Sequence, residues 1–477
     1  MKFLSPHSKQ LVVVLLLTLV KGLMWVVIIP PWQAPDEPSH FAYVQYLAEE
    51  NQLPLVQNSD GISAEEKNFA RAAGIGDIKD QPNAGSMPSL KTLLDFPPGT
   101  KAEREASGNT AASGYPPGYY FLAALVYKLF YYKSIVVRFY AIRFFSVIIS
   151  LFAVWGAFQI GKLIVPKSGT FPLALAVLTG MQPMFSMTAA QISNDILLDT
   201  LAVLILYWLF NLLTSTSPPS RKQLVLGGVL LGLGLLTKAQ MLYVSAFACL
   251  VALIHFIRRK HKAGSIVREL ALILAPAFVL YGWWAYFSWQ HYHSVLGNMP
   301  FQPVGSPDET LSGYIRQNFF TATGWQRQYT LWVKWYWANF GWLDTGFRSY
   351  RLYQVLLGFM AIGLAGAVGG LFRWRGPKPQ VRISLVVLSA AFYLGNIAFL
   401  YVVELVYFLR FHNTMLQGRY LLTALVPLNI LILTGIRFLL PGRLQPYGDI
   451  LMGVGAFALN VSALLLLLSE YHGIGVI

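Results

Sequence analysis

Residues 11–29 read LVVVLLLTLVKGLMWVVII and form the first of a series of long apolar runs. The run contains one charge, Lys21, and is too long for the apolar core of a secretory signal peptide, which covers about 7–15 residues. The residues that follow, Pro30-Pro31-Trp32, are unsuited to signal-peptide cleavage. We therefore expect a retained first membrane helix.

The composition is typical of a membrane protein rather than of a soluble domain. The chain has 477 residues, of which 55% are hydrophobic and 12% are charged, whereas soluble proteins are about 25% charged. Its net charge of +15 does not indicate nucleic-acid binding, because the basic residues lie in short loops between apolar runs. The single cysteine, Cys249, excludes an internal disulfide and a cysteine metal cluster.

Apolar runs recur along the whole chain and predict an all-α, polytopic membrane helical bundle. About eleven runs approach the length of roughly 20 residues that a spanning helix needs. They lie near residues 11–30, 138–161, 170–189, 193–213, 223–238, 241–257, 267–289, 351–372, 382–405, 419–438 and 447–469. The fifth and sixth runs are short and closely joined, so we expect a hairpin around Lys238.

The distribution of charge predicts the orientation in the membrane. With the N-terminus inside, every inner loop carries Lys or Arg, in agreement with the positive-inside rule. An odd number of spans then places the C-terminus outside, and we expect a multi-pass protein of a bacterial cytoplasmic membrane. The first outer segment holds 12 of the 21 acidic residues, which supports this orientation.

We expect residues 1–477 to form a single transmembrane domain with two long outer segments. The first, 31–137, carries interfacial helices, and its polar stretch 55–113 is either a mobile lid or a loose loop. The second, 290–350, is rich in aromatic residues. The apolar run 118–132 is too short to span and is expected to lie in the outer interface, anchored by tyrosines. These are Tyr119, Tyr120, Tyr127, Tyr131 and Tyr132.

The first candidate site is the stretch Pro35-Asp36-Glu37-Pro38-Ser39-His40, directly after the first helix. Two adjacent carboxylates at the outer face can form an acid/base site, because a carboxylate beside lipid has a raised proton affinity. The alternative is structural, with Asp36 as the N-cap of a helix whose first turn holds Pro38. Glu37 and His40 also have the spacing of a metal-binding pair, although a solvated histidine is the simpler interpretation.

The second candidate site opens the fourth predicted span with Ser193-Asn194-Asp195, and Asp199 follows one turn deeper. Asp195 and Asp199 are four residues apart and share a helix face. Charged groups inside a bilayer are costly and are functional candidates. Alternatively, Ser193 or Asn194 caps the helix and Asp195 favours its positive end, which explains Asp195 but not Asp199.

Basic residues on the predicted outer side form the third candidate group. Lys238 and Arg419 run against the positive-inside bias, and they indicate binding of an anion such as a lipid phosphate or pyrophosphate. Arg138 and Arg143 flank the outer end of the second span. We interpret these two as snorkelling side chains.

The aromatic outer segment contains Phe340-Gly341-Trp342-Leu343-Asp344. Most of the segment is expected to be an interfacial belt, although such a surface can also stack on sugar rings, with Asp344 as a candidate acid for an acceptor. A Gly-Lys-Ser phosphate loop is absent from the sequence, which argues against ATP as an energy source. The inner loops are too short for a nucleotide-sugar domain, so any sugar donor is expected to be lipid-borne and used outside.

Taken in order, these motifs resemble those of the GT-C superfamily of membrane glycosyltransferases, which includes the bacterial aminoarabinose transferase and the protein O-mannosyltransferases. Pro35-Asp36-Glu37-Pro38 is placed where their catalytic carboxylate lies. Further similar stretches are Tyr115-Pro116-Pro117-Gly118-Tyr119-Tyr120, Arg143-Phe144-Phe145-Ser146, Ser193-Asn194-Asp195 and Leu233-Gly234-Leu235-Leu236-Thr237-Lys238. A bacterial membrane-protein family predicted to be glycosyltransferase-like is more similar still, since it shares the motifs at 36–41, 340–344 and 417–420.

The resemblance implies an inverting glycosyltransferase that moves a sugar from a polyprenyl-phosphate donor to an acceptor hydroxyl on a cell-envelope glycan, lipid or protein. Asp36 would be the general base, and Glu37 would orient it or hold an acceptor hydroxyl. Lys238 and Arg419 would neutralise the departing phosphate, and Asp195 would bind the sugar. The remaining candidates for sugar, acceptor or metal binding are Asn194, His40 and Asp344.

Cofactor use and three other functions stay open. The enzyme would need either no cofactor or a divalent cation, Mg²⁺ or Mn²⁺, held by Asp36, Glu37 and Asp195. A lipid-linked oligosaccharide ligase or polymerase would take a longer donor. A polyprenyl-lipid transporter or scramblase would perform no chemistry, and could use Asp199 and Glu404 as proton-coupling groups and helices broken at prolines. A relative that only binds polyprenyl lipid is a further alternative.

Overall fold

The computed structural model describes residues 6–56, 61–75, 90–297, 310–373 and 381–474. Within these ranges the chain is helical, and the only β geometry is an isolated bridge between Phe340 and Thr345. The predicted all-α fold class is therefore confirmed.

Twenty α-helices occur in the described part of the chain. The α-helices are α1 Pro6–Ile28, α2 Glu37–Glu50, α3 Ala64–Ala72, α4 Leu90–Leu94, α5 Lys101–Arg104, α6 Gly118–Leu129, α7 Ile135–Ile164, α8 Thr170–Gly180, α9 Pro183–Ala189, α10 Asp195–Thr214, α11 Arg221–Leu235, α12 Met241–Arg258, α13 Ala263–Tyr292, α14 Leu311–Phe319, α15 Ala322–Tyr329, α16 Trp335–Trp337, α17 Tyr350–Arg373, α18 Ile383–Phe411, α19 Leu425–Leu439 and α20 Gln445–His472. A π-helical turn covers Thr330–Lys334, and 3₁₀ turns cover Gly418–Ala424 and Gly442–Leu444.

In the described part of the chain, nine helical segments are long and apolar enough to cross a membrane. They are Lys9–Ile28, Ile135–Ile164, Asp195–Thr214, Met241–Arg258, Ala263–Tyr292, Tyr350–Gly370, Ile383–Phe411, Gly418–Leu439 and Gly442–His472. Each coincides with one of the predicted spans. The protein is therefore a multi-pass membrane protein, and the predicted count of about eleven is approximate.

Two predicted spans are shorter than expected. The third, 170–189, is divided into α8 and α9 by a turn at Met181 and Gln182. Pro183 opens α9 and has no N–H to continue the hydrogen-bond ladder of α8, which gives the break a local cause. The fifth is the 15-residue helix α11. It ends at Leu235, and residues 236–240 connect it tightly to α12, as expected for a hairpin around Lys238.

Contacts between Cα atoms divide the chain into two compact units. The first unit consists of Met1–Leu15, Val154–Phe185 and Phe301–Ala463. The second consists of Leu16–Ala153, Ser186–Pro300 and Leu464–Ile477. Each unit is discontinuous in sequence, so its packing depends on segments that are far apart along the chain. The two units are described separately below.

The run 118–132 forms helix α6, which is too short to span a bilayer, as predicted. The predicted anchoring by tyrosines is wrong in part: the side chains of Tyr119, Tyr120 and Tyr127 are fully buried in the protein. Their rings pack against α2, because Tyr120 stacks on Tyr43 with 3.8 Å between ring centroids. The exposed face of α6 is instead aliphatic and aromatic, with Phe121, Leu122, Leu125 and Leu129.

Parts of the first outer segment are anchored by buried ion pairs. The guanidinium of Arg138, whose side chain is fully buried, pairs with the carboxylate of Glu65 on α3. Arg104 bonds to Glu49 Oε1 at 3.1 Å, and Tyr131 OH donates to Glu49 Oε2 at 2.9 Å. The stretches 57–60 and 76–89 of the predicted lid lie outside the described residues. The interpretation of Arg138 as a snorkelling side chain is wrong, because a carboxylate from α3 draws it inward.

Candidate functional site

The loop before α2 is held by one buried indole. The side chain of Trp32 has no exposed surface and makes edge-to-face contacts with Phe41, Phe69 and Phe139, with centroid distances of 5.5, 5.5 and 4.8 Å. Such aromatic contacts add to the burial of a large apolar surface. The turn that carries Asp36 is therefore fixed to α2, α3 and α7.

Asp36 immediately precedes α2 in a left-handed backbone conformation, with φ 63° and ψ 2°. Most L-residues rarely adopt this conformation, although Asp does so more often than most, and strained backbone conformations cluster at active sites and ligand-binding segments. The Asp36 side chain makes no capping hydrogen bond to the helix, so the purely structural interpretation as an N-cap is not supported. Asp36 is half-buried.

The neighbouring carboxylate, that of Glu37, is completely buried and paired with Arg143. Arg143 Nε donates to Oε1 at 2.8 Å and Nη2 donates to Oε2 at 2.6 Å, a bidentate arrangement. The backbone N–H of Ile192 donates to the same Oε1 at 3.0 Å. Arg143 is fully buried, so the interpretation of this residue as a snorkelling side chain is wrong. Both oxygens of Glu37 are therefore engaged by Arg143 and by the backbone of Ile192.

The pairing of Glu37 with Ile192 brings the start of α10 to the start of α2. Asp195 Oδ1 accepts a hydrogen bond from Lys238 Nζ at 2.5 Å, and both side chains are only slightly exposed. Asn194 Nδ2 donates to the backbone oxygen of Thr237 at 2.9 Å. Asp195 on α10 and Asn194 at its N-cap therefore hold the turn that carries Lys238. Ser193 Oγ accepts from the backbone N–H of Asp195 at 3.2 Å, while Asn194, which holds the N-cap position of α10, makes no side-chain capping hydrogen bond.

Three rings connect α2 with Lys238. His40 Nδ1 and Tyr120 OH share a hydrogen bond of 2.7 Å, and the His40 ring stacks between Tyr120 and Tyr115. Lys238 Nζ lies 5.6 Å from the centroid of the Tyr115 ring. Burial, followed by the charges of neighbouring tyrosines and Asp195, raises the pKa of Tyr120 well above its usual value, so its hydroxyl stays protonated. His40 is 4% exposed, and the expectation of a solvated histidine is wrong.

The second unit thus brings together six of the residues predicted from the sequence. They are Asp36, Glu37, His40, Asn194, Asp195 and Lys238. The contacts above link the last five through Arg143, Ile192, Tyr115 and Tyr120, and Asp36 directly precedes Glu37 in the chain. We call this group the carboxylate–lysine cluster. It combines the half-buried Asp36 with a slightly exposed ammonium.

The cluster does not have the form of a metal site. No group of three or more His, Cys, Asp or Glu side chains suited to a metal ion occurs in the part of the chain that the structure describes. Of the three residues expected to hold Mg²⁺ or Mn²⁺, Glu37 is bound bidentately by Arg143 and Asp195 is paired with Lys238. The donor set of Asp36, Glu37 and Asp195 therefore does not fit a divalent cation in this conformation.

The other two predicted site residues, Asp344 and Arg419, belong to the first unit. Asp344 is exposed and lies in a tight turn, where its Oδ1 accepts a hydrogen bond from Thr345 Oγ1 at 3.1 Å. Arg419 is 8% exposed in the 3₁₀ turn before α19, and its guanidinium lies 5.7 Å from the centroid of the Tyr420 ring.

Glu404, suggested above as a proton-coupling group, is fully buried in the first unit and has four hydrogen-bond donors. Tyr314 OH and Arg327 Nη2 donate to Oε1, each at 2.6 Å. The backbone N–H groups of Met415 and Leu416 donate to Oε2 at 2.8 and 3.0 Å. This set of hydrogen bonds engages both oxygens of the Glu404 carboxylate. We call it the Glu404 clamp, because it joins α14, α15 and the loop after α18.

Sequence reasoning missed the roles of Arg143, Tyr115 and Tyr120. The sequence did contain a signal for the importance of Arg143, because this residue opens the Arg-Phe-Phe-Ser stretch that resembles the GT-C pattern. Ser146 of that stretch shares a 2.8 Å hydrogen bond with Tyr119 OH. An arginine in an apolar run can snorkel or pair with an acid, and only the position of Glu37 decides between the two.

The fold and the cluster define a class: a multi-pass helical membrane protein with carboxylates and a lysine gathered at the ends of its helices. The chain belongs to the DUF2142 family, described as a predicted membrane protein, whose model matches residues 19–428. No significant match was found among curated proteins.

Two solved structures are similar to the chain. One is ArnT from Cupriavidus metallidurans bound to undecaprenyl phosphate, with 15% identity, a TM-score of 0.46, and coverage of 94% of this chain and 63% of that chain. The other is the archaeal oligosaccharyltransferase AglB from Archaeoglobus fulgidus in complex with an inhibitory peptide and a dolichol-phosphate. It has 12% identity, a TM-score of 0.48, and coverage of 97% of this chain and 56% of that chain. This chain spans less than two thirds of the length of either protein.

Proposed function

We propose that this protein is a membrane glycosyltransferase that moves a sugar from a polyprenyl-phosphate donor to an acceptor hydroxyl. The observation that carries the proposal is the carboxylate–lysine cluster, in which the half-buried Asp36 is held in a strained conformation while Glu37 beside it is locked by Arg143. The ordered set of motifs that resembles the GT-C superfamily supports the same reaction. The placement of charge along the chain supports a site on the outer face of the cytoplasmic membrane.

In this proposal Asp36 is the general base. Its carboxylate takes the proton of the acceptor hydroxyl, and the resulting oxygen attacks the anomeric carbon of the donor sugar. The bond between that carbon and the phosphate oxygen breaks, and polyprenyl phosphate leaves with the electron pair. A single displacement of this kind inverts the anomeric centre. The acceptor proton ends on Asp36, so atoms and charges balance.

Lys238 stabilises the negative charge that develops on the leaving phosphate. Preorganised charge of this kind is usually the largest single contribution to catalysis. Asp195 acts through Lys238, because the 2.5 Å bond holds the ammonium at the end of α11. An ammonium carries three N–H donors, so a phosphate oxygen can bond to it beside Asp195.

Two buried acceptor atoms next to this pair support binding of a hydroxylated group. Asn194 Oδ1 and Gln191 Oε1 are buried and have no hydrogen-bond partner among the described residues. Leaving such an atom without a partner costs about 1–3 kcal/mol. Sugar hydroxyls are donors of the kind that would satisfy both atoms. We therefore assign Asn194 and Gln191 to the sugar.

The test uses purified protein in nanodiscs with a panel of polyprenyl-phosphate sugars, and follows release of free polyprenyl phosphate by mass spectrometry. The wild type should release polyprenyl phosphate from at least one donor. Asp36→Asn should abolish release, because the amide cannot accept the acceptor proton at neutral pH. Asp95→Asn is the matched control, since Asp95 is an exposed acid of the same outer segment and should leave release unchanged.

Retained release by correctly folded Asp36→Asn protein would refute the assignment of the base. A donor panel that includes lipid-linked oligosaccharides separates the transferase from a ligase or polymerase, because only the latter would require the longer donor.

One observation favours the transporter or scramblase alternative, namely the break between α8 and α9. Discontinuous helices are common at the binding sites of secondary transporters. Pro276, in contrast, lies inside the continuous helix α13, and all four donors of the Glu404 clamp come from the protein itself. Proton-gradient-dependent lipid flux in vesicles, with no release of polyprenyl phosphate, would support this alternative.

A further inference from the structure

A small polar pocket lies beside the Glu404 clamp in the first unit, and none of its lining residues is used by the proposed function. It has a volume of about 210 Å³. It is lined by Tyr314, Gln317, Asn318, Arg327, Phe408, His412, Asn413 and Thr414. These residues come from α14, α15 and the end of α18 with the loop that follows.

The walls of the pocket are fixed in place. Asn318 Nδ2 donates to the backbone oxygen of Tyr314 at 2.9 Å, and Asn318 Oδ1 accepts from Arg327 Nη1 at 2.5 Å. The Phe408 ring stacks on Tyr314 with 4.2 Å between centroids. Because Glu404 also holds the loop backbone at Met415, the pocket is preformed rather than created by a ligand, which lowers the entropic cost of binding.

The charges in the pocket are balanced. The only arginine on the wall, Arg327, is paired with Glu404 at 2.6 Å. A free anion would therefore gain little net Coulomb energy, in contrast to a phosphate bound by unpaired cations. The ligand class that fits this balance is polar and uncharged.

The remaining wall groups are suited to hydroxyls. Gln317 and Asn413 are amides, and Thr414 is a hydroxyl, so together they offer both donors and acceptors. His412 is in a left-handed conformation with φ 49°, and its Nδ1 is buried without a hydrogen-bond partner among the described residues. A buried polar atom of this kind needs a partner. A hydroxyl can serve as either donor or acceptor, whichever tautomer His412 adopts.

We infer that this pocket binds a single uncharged sugar unit. The volume is below the range of about 300–1,000 Å³ typical of pockets for larger ligands, which favours one ring over an oligosaccharide. Under the proposed function, on which this step rests, the sugar belongs to the acceptor glycan. The class of ligand itself follows from the pocket alone.

The experiment measures binding by saturation-transfer difference NMR on the full-length protein in nanodiscs. The probes are methyl glycosides of glucose, galactose, mannose and N-acetylglucosamine, with methyl glucuronide and inorganic phosphate as charged comparisons. Gln317→Trp fills the pocket and should weaken binding of the neutral glycosides by at least about tenfold. Gln326→Trp is the matched control, since Gln326 is an exposed glutamine on the adjacent helix α15 that does not line the pocket.

Binding of a neutral glycoside to the wild type and to Gln326→Trp, with loss in Gln317→Trp, supports the inference. Absence of binding to the wild type, equal binding to both variants, or preference for phosphate or glucuronide overturns it. Asp36→Asn should keep sugar binding. Sugar binding in the pocket can therefore be demonstrated even if no sugar transfer is found. It can also be refuted while transfer is confirmed, so the two proposals are tested independently.

Discussion

Arg143 and Glu37 form a fully buried bidentate ion pair between α7 and α2, with N–O distances of 2.8 and 2.6 Å. The guanidinium also donates to the backbone oxygens of Val26, Ile29 and Pro30 at 2.6–3.1 Å. The carbonyls of Val26 and Ile29 lie at the end of α1, where helical carbonyls lack an N–H partner, and the oxygen of Pro30 also accepts from the N–H of Gln33 at 3.3 Å. The Arg143 side chain therefore connects the end of α1 with Glu37 of the carboxylate–lysine cluster, at the start of α2.

We predict that Arg143→Met lowers the free energy of unfolding by about 3–5 kcal/mol, because it leaves the Glu37 carboxylate buried without its cation. Arg143→Lys should be almost as harmful, since a lysine cannot replace the bidentate contact. Thermal unfolding of purified protein in detergent measures both.

The double variant Arg143→Met with Glu37→Gln tests the coupling of the pair. It should be less destabilised than the sum of the two single variants, because no unpaired charge remains. Additive effects would show that the two side chains do not interact energetically.

Gly118 permits a close approach between α6 and the turn that carries Lys238. Its N–H donates to the backbone oxygen of Leu236 at 2.7 Å, and a Cβ atom at this position would lie 2.7 Å from the same oxygen. Gly118→Ala should therefore cost about 1–3 kcal/mol of stability and lower the rate of transfer by moving Lys238. Thermal unfolding and the release assay measure the two effects.

Gly264→Ala is the control for this substitution. No atom lies within 4 Å of a Cβ added at Gly264, near the start of α13. The Gly264→Ala protein should therefore be as stable as the wild type or slightly more stable. Equal behaviour of the two variants would contradict the importance of the contact at Leu236.

Lys238→Gln should reduce kcat/KM for the lipid donor by about 10²–10³-fold, as expected when one preorganised charge is removed from a transition state. Steady-state release of polyprenyl phosphate gives this ratio. Lys133→Gln, at an exposed lysine of the first outer segment, should leave kcat/KM unchanged. A Lys238→Gln enzyme with wild-type kinetics would remove Lys238 from the mechanism.

The Glu404 clamp predicts a structural outcome for Glu404→Gln. The amide cannot pair with Arg327 as an ion, so we expect a loss of about 1–3 kcal/mol in stability, measured by thermal unfolding. If Glu404 instead coupled transport to protons, Glu404→Gln would abolish gradient-driven flux in vesicles while leaving the unfolding temperature unchanged.

The sequence by itself determined the fold class and most of the spans, because a bilayer accepts only long apolar helices whose backbone groups are internally bonded. Local rules also predicted the start of α2, where Pro38 lies in the first turn, and the tight turn before Lys238. These features depend on neighbours in sequence. The break between α8 and α9 was signalled by Pro183 but not predicted, since a proline can also be tolerated inside a helix, as at Pro276.

The tertiary structure alone decided which charged side chains pair and which face the outside. Arg138, Arg143 and the tyrosines of α6 could each have faced lipid headgroups, and their sequence neighbourhoods favour that choice. Their burial depends on Glu65, Glu37 and α2, which are distant in sequence, and the two carboxylates offset the cost of burying the two guanidinium charges. For the same reason the sequence predicted the members of the carboxylate–lysine cluster but not the roles of Glu37 and Arg143 within it.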